Sequence, residues 1–483
     1  MNYRMICQLL CSVMRIVALF MIPAAGISLY HQDMTSMYAF LITMGVMLLI
    51  SCLTFLWKPR KKAFYAREGF VLAALTWLLV SVFGCLPFVI SGAIPDFVDA
   101  LFETASGFTT TGASIMVDYS RLSEGMIYWR SFTHWLGGMG VLVFLLSLER
   151  FSAGSGDSIH IMRAESPGPQ VSKLVPHTLG SARILYAIYI AMTVVLFVLL
   201  LLGGQGPLEA IATAMGTAGT GGFGITADGM TKQTPYIQWV VGVFMMLFGV
   251  NFGIYYLLVQ RSWKKALHNE ELWVYLGIFV AATAVITYFV YPQYGFADGV
   301  RHSFFQVSAI ATSTGFASAD FNLWPQFART LLVILMFSGA CAGSTGGGFK
   351  ISRVLILVKS LRQELRRSLH PNTISSVHMD GEKVSKETVT NTYAYLVAYC
   401  LILLSGVLLL SFDSFTFEEN VTAVISCLNN IGPGLGAVGP MGGYAGFSPF
   451  SKIVLTFIML LGRLEIFPFL TLFVPGVWKK ARN

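Results

Sequence analysis

Charge is scarce in this chain of 483 residues: Asp, Glu, Lys and Arg make up 12%, against 55% hydrophobic residues. A soluble domain carries about 25% charged residues, so an ordinary globular fold is excluded and an integral membrane protein is implied. Enzyme signatures are missing as well. The chain has no HExxH, no GxSxG and no pair of intramembrane aspartates, which removes the zinc-protease, nucleophile-elbow and membrane aspartyl-protease classes. Its seven cysteines form no CxxC pair and no Cys/His metal spacing, and they lie in or beside apolar segments, as small core residues do.

What the chain has instead is long apolar runs, at roughly 7–30, 37–57, 68–92, 125–149, 181–203, 236–260, 271–291, 325–349, 389–411 and 450–476. Most reach the ~20 residues a helix needs to cross the hydrocarbon layer, which predicts about ten spanning helices. The first run has a basic start and small residues at its end, as a signal peptide would. Its length and the internal Arg15 favour a span. The net charge of +8 is a matter of placement. Lys and Arg concentrate in alternate connections (Lys58 to Arg67; Arg150, Arg163, Lys173 and Arg183; Arg261, Lys264 and Lys265; Lys350 to Lys386) and in the tail at Lys479, Lys480 and Arg482. The opposite connections hold little beyond Arg121, Lys232, Arg301 and Lys452. The positive-inside rule then predicts cytoplasmic termini and a topological role for the charge, not nucleic-acid binding.

Four of the opposite connections are long, and each begins like a short helix: "PDFVDALFETASGFTTTGAS" (95–114), "GPLEAIATAMGTAGTGGFG" (206–224), "ADGVRHSFFQVSAIATSTGFAS" (297–318) and "FEENVTAVISCLNNIGPGLG" (417–436). Aligned on one glycine each, they place Gly112, Gly221, Gly315 and Gly432 in register. Asp99, Glu209 and Glu419 precede these glycines, with His302 and Asp298 near that point in the third unit, as expected of acids in the first turn of a short helix. Non-helical backbone at membrane depth is tolerated only where it is buried in protein or lines a wet cavity. Four such loops predict a pseudo-fourfold pore in which carbonyls, supplemented by threonine hydroxyls, replace the water shell of a cation. Glycine supports the turned carbonyls because positive φ is open to it.

Two further features stand out. "SGACAGSTGGGFK" (338–350) interrupts an apolar run. Gly339, Gly343, Gly346, Gly347 and Gly348 are too dense for a helix interior. The segment fails as a phosphate loop, because Gly348 is followed by Phe349, Lys350 and Ile351 and no strand precedes it, so no nucleotide binding by this chain is expected. Arg463 lies inside the run 453–475, where a charge must face protein or water. Glu465, two residues on, falls on another face. Arg130 and His134 share a helix face beside Trp129 and Trp135, which suggests anchoring at the membrane interface. The basic, then mixed, stretch 359–388 is a solvated loop or a docking surface.

Four helix–loop–helix units in one chain resemble the Trk/Ktr/HKT superfamily of potassium transporters, and two extra N-terminal spans resemble its bacterial TrkH/TrkG branch. "GFTTTGAS", "SGACAGSTGGGFK", "NNIGPGLG" (429–436) and "LLGRLEIFP" (460–468) carry the likeness. It implies an all-α membrane protein divided into N-terminal helices 1–62 and pore repeats 63–165, 166–268, 269–370 and 371–483, the third holding a gate loop. The implied filter carbonyls are those of Thr110, Thr111 and Gly112; Gly219, Thr220 and Gly221; Ser313, Thr314 and Gly315; and Asn430, Ile431 and Gly432. The implied gate is Gly343, Ser344, Thr345, Gly346, Gly347 and Gly348 with Arg463. The resemblance further implies K⁺ uptake across the bacterial inner membrane, a homodimer with one pore per protomer, and a cytoplasmic TrkA-type ring that binds NAD(H) or ATP/ADP. A Na⁺- or H⁺-coupled symporter and a weakly selective K⁺/Na⁺ conductor stay open. The spans offer few groups for a proton path, His134 and Glu465 being the main ones.

Overall fold

The computed structural model describes residues 3–53, 66–116, 119, 122–140, 179–226, 229–371 and 376–478. Outside them fall Lys58, Arg60, Lys61, Lys62, Arg121, Arg150, Arg163, Lys173, Lys479, Lys480 and Arg482, the part of one expected span from 141 to 149, and residues 372–375 of the stretch 359–388.

Among the described residues, six helical segments are long and apolar enough to cross a membrane: Tyr3–Tyr30, Met34–Cys52, Arg67–Ser91, Arg183–Leu202, Glu270–Ala311 and Lys386–Leu410. Their outward faces stay apolar where they leave the protein. Leu401, Leu404 and Leu408, spaced along one helical face, are exposed, as contact with lipid requires. The first helix packs against Met34–Leu53 and Ala66–Gly84 and buries Val13, Met14 and Val17.

Four short helices enter between spans. Three are Phe97–Phe108, Pro207–Ala218 and Phe417–Leu428. The fourth is the end of Glu270–Ala311, whose backbone leaves helical geometry at Gly295 (φ 73°, ψ −174°) just after Pro292. Local chemistry starts the three separate ones. Asp96 caps the first through the amides of Val98 and Asp99, Pro207 opens the second, and Thr416 with Glu419 forms a capping box on the last. Asp99, Glu209 and Glu419 occupy first turns, as expected.

Three of the helices that follow the loops break within the described residues. Gln326–Phe337 ends after 12 residues and an irregular segment leads to Ile351–Leu369, as the glycine density at 338–350 predicts. The runs 236–260 and 450–476, expected to be continuous, are bent as well. Pro235–Phe248 meets Phe252–Val259 at 88°, and Pro449–Arg463 meets Phe467–Phe473 at 119°. At the first break Gly249 ends one helix and Asn251 caps the next through Gly253 N. At the second, Glu465 and Ile466 take positive φ, a conformation no helix continues through.

Candidate functional site

The four short helices end in one geometry. Each closes with a residue in the left-handed region: Thr110 (φ 55°), Thr220 (φ 53°), Ser313 (φ 57°) and Asn430 (φ 53°). The next amide reaches back five residues, from Thr111 to Ser106 O (2.9 Å), Gly221 to Gly216 O (2.9 Å), Thr314 to Ala309 O (2.8 Å) and Ile431 to Ser426 O (2.9 Å). This is the Schellman closure, and it frees the following backbone from the helical ladder. A glycine at positive φ comes next in every loop: Gly112 (77°), Gly222 (68°), Gly315 (81°) and Gly432 (103°).

That series corrects the sequence register. The expected second set, Gly219, Thr220 and Gly221, lies one residue early, because Gly219 still caps its helix. The residues equivalent to Thr110-Thr111-Gly112 are Thr220-Gly221-Gly222. In "GTGG" either glycine satisfies a sequence alignment, and only the end of the helix decides between them. Gly221 does a different job, its missing side chain making room for the ring of His134.

The four loops close into a ring. A Cβ on Gly112 would collide with Gly221 O, one on Gly222 with Thr314 O, one on Gly315 with Ile431 O, and one on Gly432 would lie 2.8 Å from Thr111 O. Each positive-φ glycine thus abuts the carbonyl of the next loop, in the order one, two, three, four and back to one. A side chain there would strain φ and also displace a neighbouring carbonyl. The same four glycines line a cavity of about 200 Å³ together with Arg130, Tyr119, Ser114 and Tyr444. The Thr111 hydroxyl serves the ring internally. Thr111 Oγ1 bonds Thr109 Oγ1 at 2.8 Å and accepts from Asn430 Nδ2 at 2.9 Å.

Beneath the ring lie the helix breaks. Arg463 ends its helix and donates to Gly137 O (2.6 Å), Gly138 O (2.7 Å), Thr345 O (2.9 Å) and Thr110 Oγ1 (3.2 Å). One guanidinium therefore joins the end of Glu124–Gly138, the irregular segment 338–350 and the first loop. Glu465, in the break past the helix end, pairs with Arg353 instead. Within 338–350, Gly347 N donates to Ser313 Oγ (2.7 Å), Phe349 N to Asn429 Oδ1 (3.2 Å), and buried Lys350 to the carbonyls of Gly346 and Gly347. Side chains on Gly346 or Gly347 would press on Thr312 O or Asn429 O, each at 2.8 Å. The segment is therefore fitted directly under the ends of the third and fourth short helices. Gly343 and Gly348 have positive φ, and Ser344 Oγ donates back to Cys341 O. Glu271, at the start of its span, holds the backbone on both sides of 343–348 by accepting Ala342 N (2.8 Å) and Ser352 N (2.9 Å) on one carboxylate oxygen.

Arg130 and His134 depart from the expected interfacial role, since both are buried. His134 Nδ1 contacts Gly107 O at 2.8 Å, and Phe223 N donates to its Nε2 at 3.3 Å. The histidine thus bridges the first short helix and the second loop. Arg130 pairs with Glu103 at 2.6 Å. Reading the sequence by motif passed over Glu103 and Glu271, although Glu271 opens the apolar run 271–291 and so announces a buried partner, whereas Glu103 lies in the connection 95–114 with no such signal.

The family model described as a cation transport protein, TrkH, matches residues 37–272 and 267–480. The Trk system potassium uptake protein TrkH of Escherichia coli K12 is 31% identical over 488 residues, covering 97% of this chain and 99% of its own length. The Trk system potassium uptake protein TrkG of the same organism is 30% identical over 96% of each. The crystal structure of the potassium transporter TrkH from Vibrio parahaemolyticus superposes with a TM-score of 0.88 at 28% identity, covering 99% of this chain and all of that one. By composition, fold and likeness over nearly its whole length, this all-α, multi-pass membrane chain belongs to the TrkH family of cation transport proteins within the Trk/Ktr/HKT superfamily, a family of transporters and not of enzymes.

Proposed function

We propose that this chain takes up K⁺ through a gated, channel-like pore whose selectivity filter is the four-loop ring. The observation that carries the reading is ring closure, with four equivalent glycines each seated against the next loop's carbonyl. The filter positions are Thr110, Thr111 and Gly112; Thr220, Gly221 and Gly222; Ser313, Thr314 and Gly315; and Asn430, Ile431 and Gly432. Carbonyls fixed in such a ring replace the hydration shell of a dehydrated cation. K⁺ is the cargo, and the chain itself holds no nucleotide. Residues 343–348, with Arg463, form the gate. A positive charge below the ring opposes cation passage until the segment moves. The four repeats keep the ranges 63–165, 166–268, 269–370 and 371–483.

The setting is the bacterial inner membrane, with both termini cytoplasmic, a homodimer, and a TrkA-type nucleotide-binding ring beneath. The family likeness supports this setting, as does the placement of basic residues. The protein purified into liposomes is expected to pass Rb⁺ down its gradient with neither Na⁺ nor a pH gradient present. A strict requirement for either would replace the channel-like reading with a coupled symporter.

A further inference from the structure

The fourfold pattern is broken by one buried ion pair. Nine positions before each ring glycine stand Glu103, Thr213, Gln306 and Ala423, so only the first unit carries a charge at this depth of its short helix. The Glu103 side chain has 0% exposure and Arg130 has 4%. Every oxygen of Glu103 is used. Oε1 accepts from Arg130 Nε (2.6 Å) and Ser114 Oγ (3.0 Å), and Oε2 accepts from Ile115 N (2.9 Å). Arg130 also donates to Gly224 O at 2.7 Å and to Ser114 Oγ at 3.1 Å, and its guanidinium lies 3.5 Å from the centre of the Phe223 ring. These contacts hold the backbone just beyond Gly112 in one loop and just beyond Gly222 in the next. Tyr444 extends the brace to the fourth loop, its amide donating to Ser114 O (2.9 Å) and its hydroxyl to Gly432 O (2.8 Å). Arg130 meanwhile lines the cavity above the ring, where an uncancelled positive charge would repel arriving cations.

We propose that Glu103 and Arg130 are a specificity-positioning pair, in which the carboxylate cancels the guanidinium at the mouth while the two together fix the spacing of the first and second loops. The proposal rests on the ring being the ion path. Its two parts separate experimentally, because charge acts on entry and bracing acts on discrimination.

The test uses full-length protein in liposomes, with Rb⁺ and Na⁺ fluxes measured across Rb⁺ concentration and ionic strength. Glu103→Gln leaves the guanidinium uncancelled. The apparent KM for Rb⁺ is expected to rise on the order of tenfold and to fall back as ionic strength increases. A purely structural role would not produce that salt dependence. In the double variant Glu103→Gln/Arg130→Gln the charge is balanced again but the brace is gone, so the KM shift should vanish while the Na⁺/Rb⁺ flux ratio rises severalfold. Glu103→Asp keeps the charge and shortens the arm, and should move the flux ratio with no dependence on ionic strength. It is the variant of choice if the glutamine form does not fold.

A monodisperse Glu103→Gln or Glu103→Asp protein with wild-type KM and flux ratio would overturn the proposal. So would a KM shift that persists in the double variant or ignores salt. Gly112→Ser, measured alongside, separates the two readings. If it alters the flux ratio and the Glu103 variants do not, the pair is structural and the ring stands. If none alters it, the ring reading falls first.

Discussion

The register of the second loop can be settled by asking what each of its two glycines avoids. Gly222 sits at φ 68°, and a methyl there would overlap the backbone carbonyl of Thr314. Left-handed backbone costs an ordinary residue about 1–2 kcal/mol, which a folded membrane protein survives. The carbonyl, however, has to move. If its displacement changes the relative binding of K⁺ and Na⁺ by about 1.4 kcal/mol, the selectivity ratio changes tenfold. Gly221 has no positive φ, and a methyl there would strike the imidazole of His134. That obstacle is a side chain and can be removed. His134→Ala does so and leaves Gly107 O and Phe223 N without the histidine, at a cost of about 1–3 kcal/mol.

The two alanine substitutions should therefore respond differently to the same second change. Gly221→Ala lowers Rb⁺ flux, and adding His134→Ala recovers part of the loss, with a coupling energy of about 0.5–3 kcal/mol between the two sites. Gly222→Ala shifts the Na⁺/Rb⁺ ratio, and His134→Ala does not repair it, because a backbone carbonyl cannot be trimmed. The assay is Rb⁺ uptake into proteoliposomes with Na⁺ as competitor. A tolerated Gly222→Ala with an unchanged ratio, together with a Gly221→Ala ratio defect that His134→Ala leaves in place, would make Gly221 and not Gly222 the counterpart of Gly112 and refute the structural register.

Two other outcomes follow from single side chains. Glu271→Ala removes the acceptor for Ala342 N and Ser352 N; if 343–348 is the gate and this arrangement is its closed form, losing about 2 kcal/mol from it raises basal Rb⁺ flux roughly thirtyfold, whereas Glu271→Gln keeps an acceptor oxygen and should stay near wild type, and equal fluxes in all three proteins would exclude a gating role for these two bonds. At the start of the fourth short helix, partial burial alone would raise the Glu419 carboxyl, but the amides of Ala437 and Thr416 and the Thr416 hydroxyl hold it below the usual range. A lowered folded-state value contributes stability above the unfolded value of about 4.3, lost as pH falls through the folded one, so the thermal midpoint in detergent should be level from about pH 7 to 5 and decline below about 4, with a shallower decline in Glu419→Gln; an identical acid limb would remove the capping box from the account.

Much of this architecture is written in patterns the chain cannot hide. Apolar runs mark spans because the bilayer leaves helices no alternative, and four glycine loops behind four short amphipathic segments mark the ring. Arg463 and Glu465 have separate partners, as expected, but the reason is the helix end at Arg463 and the left-handed backbone of Glu465, not two faces of one helix. Other features depend on tertiary contacts that no local pattern carries. The bend after Phe248 needs only Gly249 and Asn251, a signal too thin to distinguish from any membrane helix, whereas the third unit announces its break with five glycines in ten residues. Arg130 looked interfacial because tryptophans flank it. Its true setting follows from Glu103, 27 residues earlier and on another helix.

The left-handed residues explain why ring and breaks form one unit. Glycine would be the cheapest residue at each of those four positions, yet the chain has Thr110, Thr220, Ser313 and Asn430, and β-branched threonine is a costly choice there. Three of the four side chains connect the ring to the layer below. Thr110 Oγ1 accepts from Arg463, Ser313 Oγ accepts from Gly347 N, and Asn430 Nδ2 donates to Met459 O at 3.0 Å. Only Thr220 turns back on its own helix end, to Gly219 O. A glycine would relieve the backbone and cut the connection. The strain is thus retained where a polar side chain fastens the ring to Arg463, to segment 338–350 and to Met459 of the helix Pro449–Arg463. Movement of that segment must break the Ser313–Gly347 and Arg463–Thr345 bonds, so any displacement below reaches the third loop through a hydrogen bond to its strained residue and the first through the guanidinium of Arg463.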